Sequence, residues 1–241
     1  VKNPNGPYPG RQLFLGVTKE ERPAFAYLVT GRSPQSRERR VTSRENSIIM
    51  GPIGEQPYDP LRHYTAVKHD NDTGLLAVSN GIQTGAIFET YNLLFHTGSA
   101  PARSYLKKIM DGARAEPDSL NTPRIAGVIT SRQGKTLPIF LMSIKMAGKP
   151  AYTWELDFEP GTLAGVSTYR GDMASPEAFD AEGNPTPLLC DVNEPEELAD
   201  YIYEISAASY QGDDIRVCAI GGVRSVDNHA WKVAIINRQK G

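Results

Sequence analysis

Residues 28–40 read LVTGRSPQSRERR, four arginines beside two serines and a glycine where an apolar stretch ends. Guanidinium forks pair bidentately with phosphate oxygens, hydroxyls complete such a shell, and glycine lets the backbone approach closely. Arg32, Ser33, Ser36 and Arg37 therefore make a candidate anion site, with Arg11 a weaker addition. A solvated, salt-bridged loop is the other reading, because neither a Walker loop nor a Gly-x-Gly-x-x-Gly pattern is present.

Three further segments carry polar groups next to apolar runs. In LNTPRIAGV (120–128), Asn121, Thr122 and Arg124 surround a proline ahead of a strand that opens on small side chains. Small residues at a strand mouth leave room for a ligand or for a neighbouring backbone. In VSNGIQT (78–84), Asn80-Gly81 precedes a helical pattern and offers either backbone N–H groups to an anion or a plain turn. Tyr64 in RHYTAV reads first as a core or sheet-face aromatic, and Glu116 in RAEPDSLN as a solvated helix-end carboxylate. His63, His69, His96 and His229 have no metal spacing, and no nucleophile–base triad stands out. No metal site is expected from these spacings.

These residues need a scaffold of strands. Apolar runs at 12–18 and 24–29, joined by KEERP, predict a strand–turn–strand unit. Strand patterns continue at 47–50, 62–68 and 74–79, with the turn signal DNDTG at 70–74. Two helices follow: 84–96, with Ile87, Tyr91, Leu94 and Phe95 on one face, and 101–115, with Pro101 in its first turn and Tyr105, Ile109 and Met110 on one side. Strands return at 124–130, 137–144, 151–158 and 162–169, then a loop-like stretch at 171–193 rich in Pro, Gly, Asp and Asn. The segment 193–210 predicts a helix capped by Asn193 or Glu194, with Leu198, Ile202, Ile205 and Ser209 on one face. Strands at 215–220 and 230–236 close the chain. Strands in blocks, with helices between blocks, predict an α+β fold of layered, mostly antiparallel sheets in a single domain over 1–241.

Composition narrows the class. With 241 residues, 39% apolar and 22% charged, the chain can bury a sizeable core. A formal charge of −2 argues against nucleic acid as a partner, so any anion site is local. Cys190 and Cys218 are too few for a disulfide framework and are expected to be reduced and structural. No apolar run approaches the roughly 20 residues that span a bilayer, and the polar start VKNPNGPYPGR shows no signal peptide, so a cytoplasmic enzyme without a membrane partner is expected. The absence of an initiator Met suggests numbering that begins inside a longer chain or after trimming. An apolar sheet or helix face could mediate self-association, which makes a homo-oligomer the expectation.

Together, YPGRQLFLG (8–16), FAYLVTGRSPQSR (25–37), HYTAV (63–67), VSNGIQT (78–84) and NTPRIAGV (121–128) resemble the archaeal-type IMP cyclohydrolase family, in its order and at similar separations. STYRGD (167–172) is the best anchor in the C-terminal half. The resemblance implies a four-layer αββα sandwich like that of the N-terminal-nucleophile hydrolases. The self-processing nucleophile would be missing, since Val1 stands at the start. It implies closure of 5-formamidoimidazole-4-carboxamide ribonucleotide to IMP, without metal or redox cofactor, on a small-molecule purine ribonucleotide. By that resemblance Arg32, Ser33, Ser36 and Arg37, with Arg11, surround the 5′-phosphate. Tyr64 and Glu116 are the acid and base, and Asn80, Asn121, Thr122 and Arg124, with Tyr169, hold the base moiety and polarise the formyl group. Two positions depart from the family pattern: Thr65 stands where an Asn commonly follows the tyrosine, and Gly85 where an Asp commonly follows the threonine. A non-catalytic nucleotide-binding module and an amidohydrolase of the same fold on a related ribonucleotide are the alternatives.

Overall fold

The computed structural model describes residues 3–135, 137–179 and 181–239. Val1 and Asp180 lie outside the described residues. Strands β1 (Arg11–Val17) and β2 (Pro23–Thr30) form the expected hairpin, and both are buried along their whole length. Their side chains alternate between two apolar environments. Leu13, Leu15, Phe25, Tyr27 and Val29 enter the largest core, whereas Phe14, Ala24, Ala26 and Leu28 enter another. A sheet covered on both faces needs apolar residues at every position, which explains the continuous runs.

After the short helix α1 (Pro34–Arg37), strands β3 (Arg39–Arg44), β4 (Ser47–Pro52), β5 (Tyr64–His69) and β6 (Leu76–Ser79) run as an antiparallel meander. Helices α2 (Gln83–His96) and α3 (Arg103–Gly112) intervene before β7 (Arg124–Thr130), β8 (Ile139–Lys145) and β9 (Tyr152–Leu156) complete a seven-stranded sheet in sequential order. The remaining elements are β10 (Thr162–Ser167), β11 (Tyr169–Arg170), β12 (Glu177–Ala178), β13 (Thr186–Leu189), α4 (Pro195–Ile205), β14 (Ser209–Tyr210), β15 (Asp213–Asp214), β16 (Arg216–Arg224) and β17 (Trp231–Asn237). A six-stranded sheet is ordered β13-β10-β1-β2-β16-β17, and β11–β12 and β14–β15 are two-residue ribbons.

The largest core joins the two sheets: Leu13, Leu15 and Tyr27 share it with Ile48, Tyr64, Ile125 and Met142. A Cβ on Gly127 would lie 3.0 Å from Leu15 and 3.1 Å from Leu13, so the glycine lets the sheets close on each other. Helix α4 packs Leu198, Ile202 and Ile205 against the six-stranded sheet, and α2 and α3 cover the seven-stranded one. The fold is thus mixed α/β with antiparallel sheets and few helices.

Several boundaries differ from the sequence expectation. Residues 39–44, where the sequence pattern predicts no element, form β3, and the loop-like 171–193 contributes the edge strand β13. The last helix stops at Ile205, so Ser209 belongs to a ribbon instead of the helix face, and neither Asn193 nor Glu194 caps it through its side chain. Helix α3 starts at Arg103, after Pro101, and buries Leu106 and Met110 while Tyr105 is exposed. In α2, Phe88 replaces Phe95 on the buried face. Among the described residues no helix is long and apolar enough to cross a membrane. Cys190 and Cys218 are free and buried, and burial pushes the Cys218 thiol up to about 12.

Candidate active site

The chain ends of several strands meet around a cleft of about 610 Å³, a size suited to a nucleotide-sized ligand. Arg11 opens β1, Thr30 closes β2, Arg39 opens β3 and Tyr169 follows β10. Asp59, Leu61 and Arg62 precede β5, and Glu116, Asp118 and Thr122 precede β7. Residues far apart in the chain are brought together because antiparallel neighbours start and end at one edge.

Glu116 is the charged hub. It is 2% exposed, and its two oxygens are divided between Arg11 Nη2 at 3.1 Å and Arg124 Nη1 at 2.8 Å. Burial raises its carboxyl pKa, while Arg11 and Arg124 pull it back down. Burial alone would lower the Arg11 pKa, but Glu116 and the phenols of Tyr64, Tyr27 and Tyr169 carry it above the usual arginine value. Glu116 is held in place by its backbone N–H, which donates to Thr122 O at 2.9 Å. It is therefore no solvated helix-end carboxylate.

Asn80 serves this hub from behind. Its Nδ2 donates to Pro123 O at 2.8 Å, and its Oδ1 accepts from Ile125 N at 2.9 Å. Its carbonyl accepts from Arg124 Nη1 at 3.2 Å. With these bonds filled, Asn80 fixes the 121–125 segment and aims Arg124. Neither Asn80 nor Arg124 lines the cleft. Replacing Asn80 by Ala should lower stability by about 1–3 kcal/mol, since it orphans a buried N–H and a buried carbonyl; chemical denaturation measures it.

Thr122 hydroxyl bonds both Asp118 Oδ2 and the Tyr169 hydroxyl, and Tyr169 stacks on Tyr8 with centroids 5.6 Å apart. Burial raises the Tyr169 pKa, against the Thr122 hydrogen bond. Asn121 behaves differently. It occupies a left-handed turn at φ 48°, is exposed, and is absent from the cleft wall, so the turn itself accounts for it.

The arginine loop divides in two. Arg32, Ser33 and Ser36 line the cleft. Arg32 lies 5.3 Å from the Tyr8 ring centre and donates from Nη1 to Met173 O at 2.5 Å. Ser33 caps α1, its Oγ accepting from Ser36 N at 3.2 Å, and Ser36 Oγ donates to Ser33 O at 2.7 Å. Arg37 turns inward instead. It donates to Arg32 O at 2.6 Å and pairs with Asp213 Oδ2 at 2.5 Å, so it braces the loop from outside the cleft.

Tyr64 is 4% exposed and shares a 2.9 Å hydrogen bond with the Tyr27 hydroxyl, beneath the cleft wall. Burial holds the Tyr27 pKa well above the ordinary phenol value, and Tyr64 adds to this. Sequence reasoning passed over Arg39, because an arginine in a run of charges reads as solvent-facing; its place at an inward position of β3 buries it. Asp59 and Arg62 were also missed. They pair at 2.6 Å in the cleft wall, and although burial opposes it, the Leu61 N–H and Arg62 hold the Asp59 carboxyl low. Among the described residues, no three of His, Cys, Asp and Glu gather as metal ligands.

A family model described as IMP cyclohydrolase-like protein matches residues 8–228, a range that holds every residue of this cleft. The chain belongs to the IMP cyclohydrolase-like family. Its relatives include IMP cyclohydrolase of Methanocaldococcus jannaschii, 34% identical over 127 residues, which are 52% of this chain and 58% of that protein. The namesake of Methanococcus maripaludis strain S2 is 34% identical over 124 residues, covering 51% and 58%. That of Natronomonas pharaonis is 27% identical over 214 residues, covering 88% and 92%. The chain thus spans 58% of the length of the first two of these curated relatives. Thr65 is half-buried in β5 and Gly85 lies in α2 with open space where a Cβ would stand; neither lines the cleft.

Proposed function

We propose that this IMP cyclohydrolase-like protein closes 5-formamidoimidazole-4-carboxamide ribonucleotide to IMP with loss of water. The observation that carries the reading is the cleft's charge. Four lining arginines face three carboxylates, and neither Arg32 nor Arg39 has a carboxylate partner among the described residues. Such a surplus suits a phosphate monoester. The relatives' name, IMP cyclohydrolase, supports the same substrate class.

In this reaction the carboxamide nitrogen attacks the formyl carbon, the C–N bond forms, and the carbonyl π pair moves onto the formyl oxygen. One proton leaves the attacking nitrogen and reaches that oxygen. The formamido nitrogen then loses its proton, the C=N bond forms, and the oxygen departs as water after taking a second proton. Both partners belong to one molecule, so holding the near-attack geometry supplies much of the rate. Arg32, Ser33 and Ser36 bind the 5′-phosphate, with Arg37 a positioning residue for their loop. Glu116 is the base for the carboxamide proton, and burial raises its proton affinity toward that task. Tyr64 is the acid that returns the proton to the oxygen, which requires the substrate to reach past the lining residues to its buried hydroxyl. Arg11, Thr122 and Tyr169 hold the carboxamide and imidazole, while Asn80 and Arg124 position Glu116.

The helix–sheet–sheet–helix packing supports the finer fold reading of a four-layer αββα sandwich of the N-terminal-nucleophile-hydrolase type. In it, residues 1–241 form one domain whose core draws on both sheets. The purine pathway suggests a cytoplasmic setting. The test is spectrophotometric: IMP formation from the formamido ribonucleotide, without added metal. Saturable turnover is expected, and Arg32→Ala should weaken nucleotide binding by about 1.5–3 kcal/mol, the worth of a charge-assisted bond. No turnover while IMP still binds would replace this reading with that of a nucleotide-binding module.

A further inference from the structure

Among the described residues, Arg39 has the most buried side-chain nitrogens without a partner. It is 3% exposed, and its buried Nε and Nη1 have no hydrogen-bond partner among the described residues. It lines the cleft with Arg11, whose own Nε is buried and has no partner among the described residues, and it sits on the face of the seven-stranded sheet that carries Tyr64, two strands away. Arg11 is neutralised by Glu116, Arg62 by Asp59 and Arg37 by Asp213. Among the described residues Arg39 has no counter-charge within ion-pair distance. His63 adds to the imbalance: its Nδ1 accepts from Asp59 N at 3.0 Å, which puts its proton on Nε2, another buried donor without an acceptor. Buried cations without partners cost several kcal/mol, so a group held this way stands ready for an acceptor that arrives later.

The position of Arg39 says which acceptor. Arg32 lies against Tyr8, whereas Arg39 shares a sheet face with Tyr64 across β4 and lines the cleft with Arg11, the latter bonded to Glu116. That is the end where the proposed reaction moves its protons. We infer that Arg39 donates its free N–H groups to the formyl oxygen as negative charge builds there, a catalytic residue for ring closure. The inference rests on the ring-closure reading. A fixed, desolvated cation aimed at developing charge needs no reorganisation during the reaction, which makes it effective.

Three measurements on the full chain test it. Arg39→Gln should lower kcat about 10²–10³-fold, the scale of one lost oxyanion donor, with KM within about threefold. Affinity supplies a readout independent of turnover, because the formyl carbon becomes C2 of the purine. Xanthosine 5′-monophosphate carries an oxygen on C2 and IMP does not. The unsubstituted protein should prefer the 2-oxo nucleotide by about tenfold or more, and Arg39→Gln should bring that ratio to about two or less. The unfolding temperature of ligand-free Arg39→Gln should equal or exceed that of the parent, since an uncompensated buried charge is gone. Arg39→Lys, which keeps the charge but not the fork, should recover part of kcat.

A kcat within about threefold of the parent overturns the inference, as does an equal loss of affinity for both nucleotides, which would assign Arg39 to the phosphate. Lower unfolding temperatures for both variants would make Arg39 a structural cation and overturn it as well. Failure of the unsubstituted protein to turn over removes the ring-closure reading and this inference together. Normal turnover with an indifferent variant removes only the inference.

Discussion

Replacing Glu116 by Ala should lower folding stability by about 3–5 kcal/mol and remove turnover. Arg11 and Arg124 are both buried, and each spends one guanidinium nitrogen on this carboxylate. Their remaining bonds go to neutral carbonyls, Leu61 O for Arg11, and Asn80 O and Arg114 O for Arg124. Carbonyls satisfy hydrogen bonds but do not cancel charge, so the substitution leaves two like charges facing each other in a desolvated pocket. Glu116→Gln tests the chemistry separately. It preserves volume and one acceptor, so its stability loss should be smaller, whereas kcat should still fall by about 10²–10⁴ because no base remains. Equilibrium denaturation and steady-state kinetics on the two variants separate the roles. Equal, small stability losses would mean that the carbonyls already compensate the arginines. Unchanged kcat in Glu116→Gln would remove Glu116 as the base.

The contrast with Arg39 is instructive. Both are buried ionised groups in one cleft, yet removing Glu116 strands its partners, and removing Arg39 strands nothing. Opposite signs of the stability change are expected from the same physics.

Strands whose two faces are both apolar were legible in the sequence. The run 124–130 coincides with β7, because a continuous apolar stretch of that length bounded by Pro and polar residues admits few other structures. Edge elements were not. In β13 the chain buries Leu188 but exposes Leu189, too little pattern to stand out amid Pro and Gly. In β3 the inward residues are Arg39 and Val41, and periodicity cannot show that an arginine faces inward when charges flank it on both sides. The site shows the same limit. Residue types pointed to Arg11, Arg32, Ser33, Ser36, Glu116, Thr122 and Tyr169, all of which line the cleft. They could not separate a residue that faces the cleft from one that braces it. Arg37 and Asn80 have the right chemistry, but Asp213, Pro123 and Ile125 occupy their hydrogen-bonding groups, and those partners come from folding alone.

Gly221→Val should cost about 3 kcal/mol, through a contact distant from the cleft. Gly221 and Gly222 are consecutive in β16, so their missing side chains point to opposite faces of the six-stranded sheet. A Cβ on Gly221 would stand 2.4 Å from Pro195 O and 2.6 Å from Ala199 N, both backbone atoms of α4. One on Gly222 would stand 2.0 Å from the Phe25 ring, which packs edge-on to Trp231 at 5.6 Å. A ring can tilt away, but a helix backbone moves only as a whole. Valine at 221 therefore pushes α4 outward and loosens Leu198 and Ile202 from Ala26 and Leu28. Tyr27, on the other face of β2, still meets Tyr64, so the folded fraction should keep its kcat. The expected signature is a lowered denaturation midpoint with unchanged turnover per folded molecule, the reverse of Glu116→Gln. A fall in kcat matching the loss of stability would mean that α4 packing reaches the cleft through β2, and that the scaffold and the site are one cooperative unit.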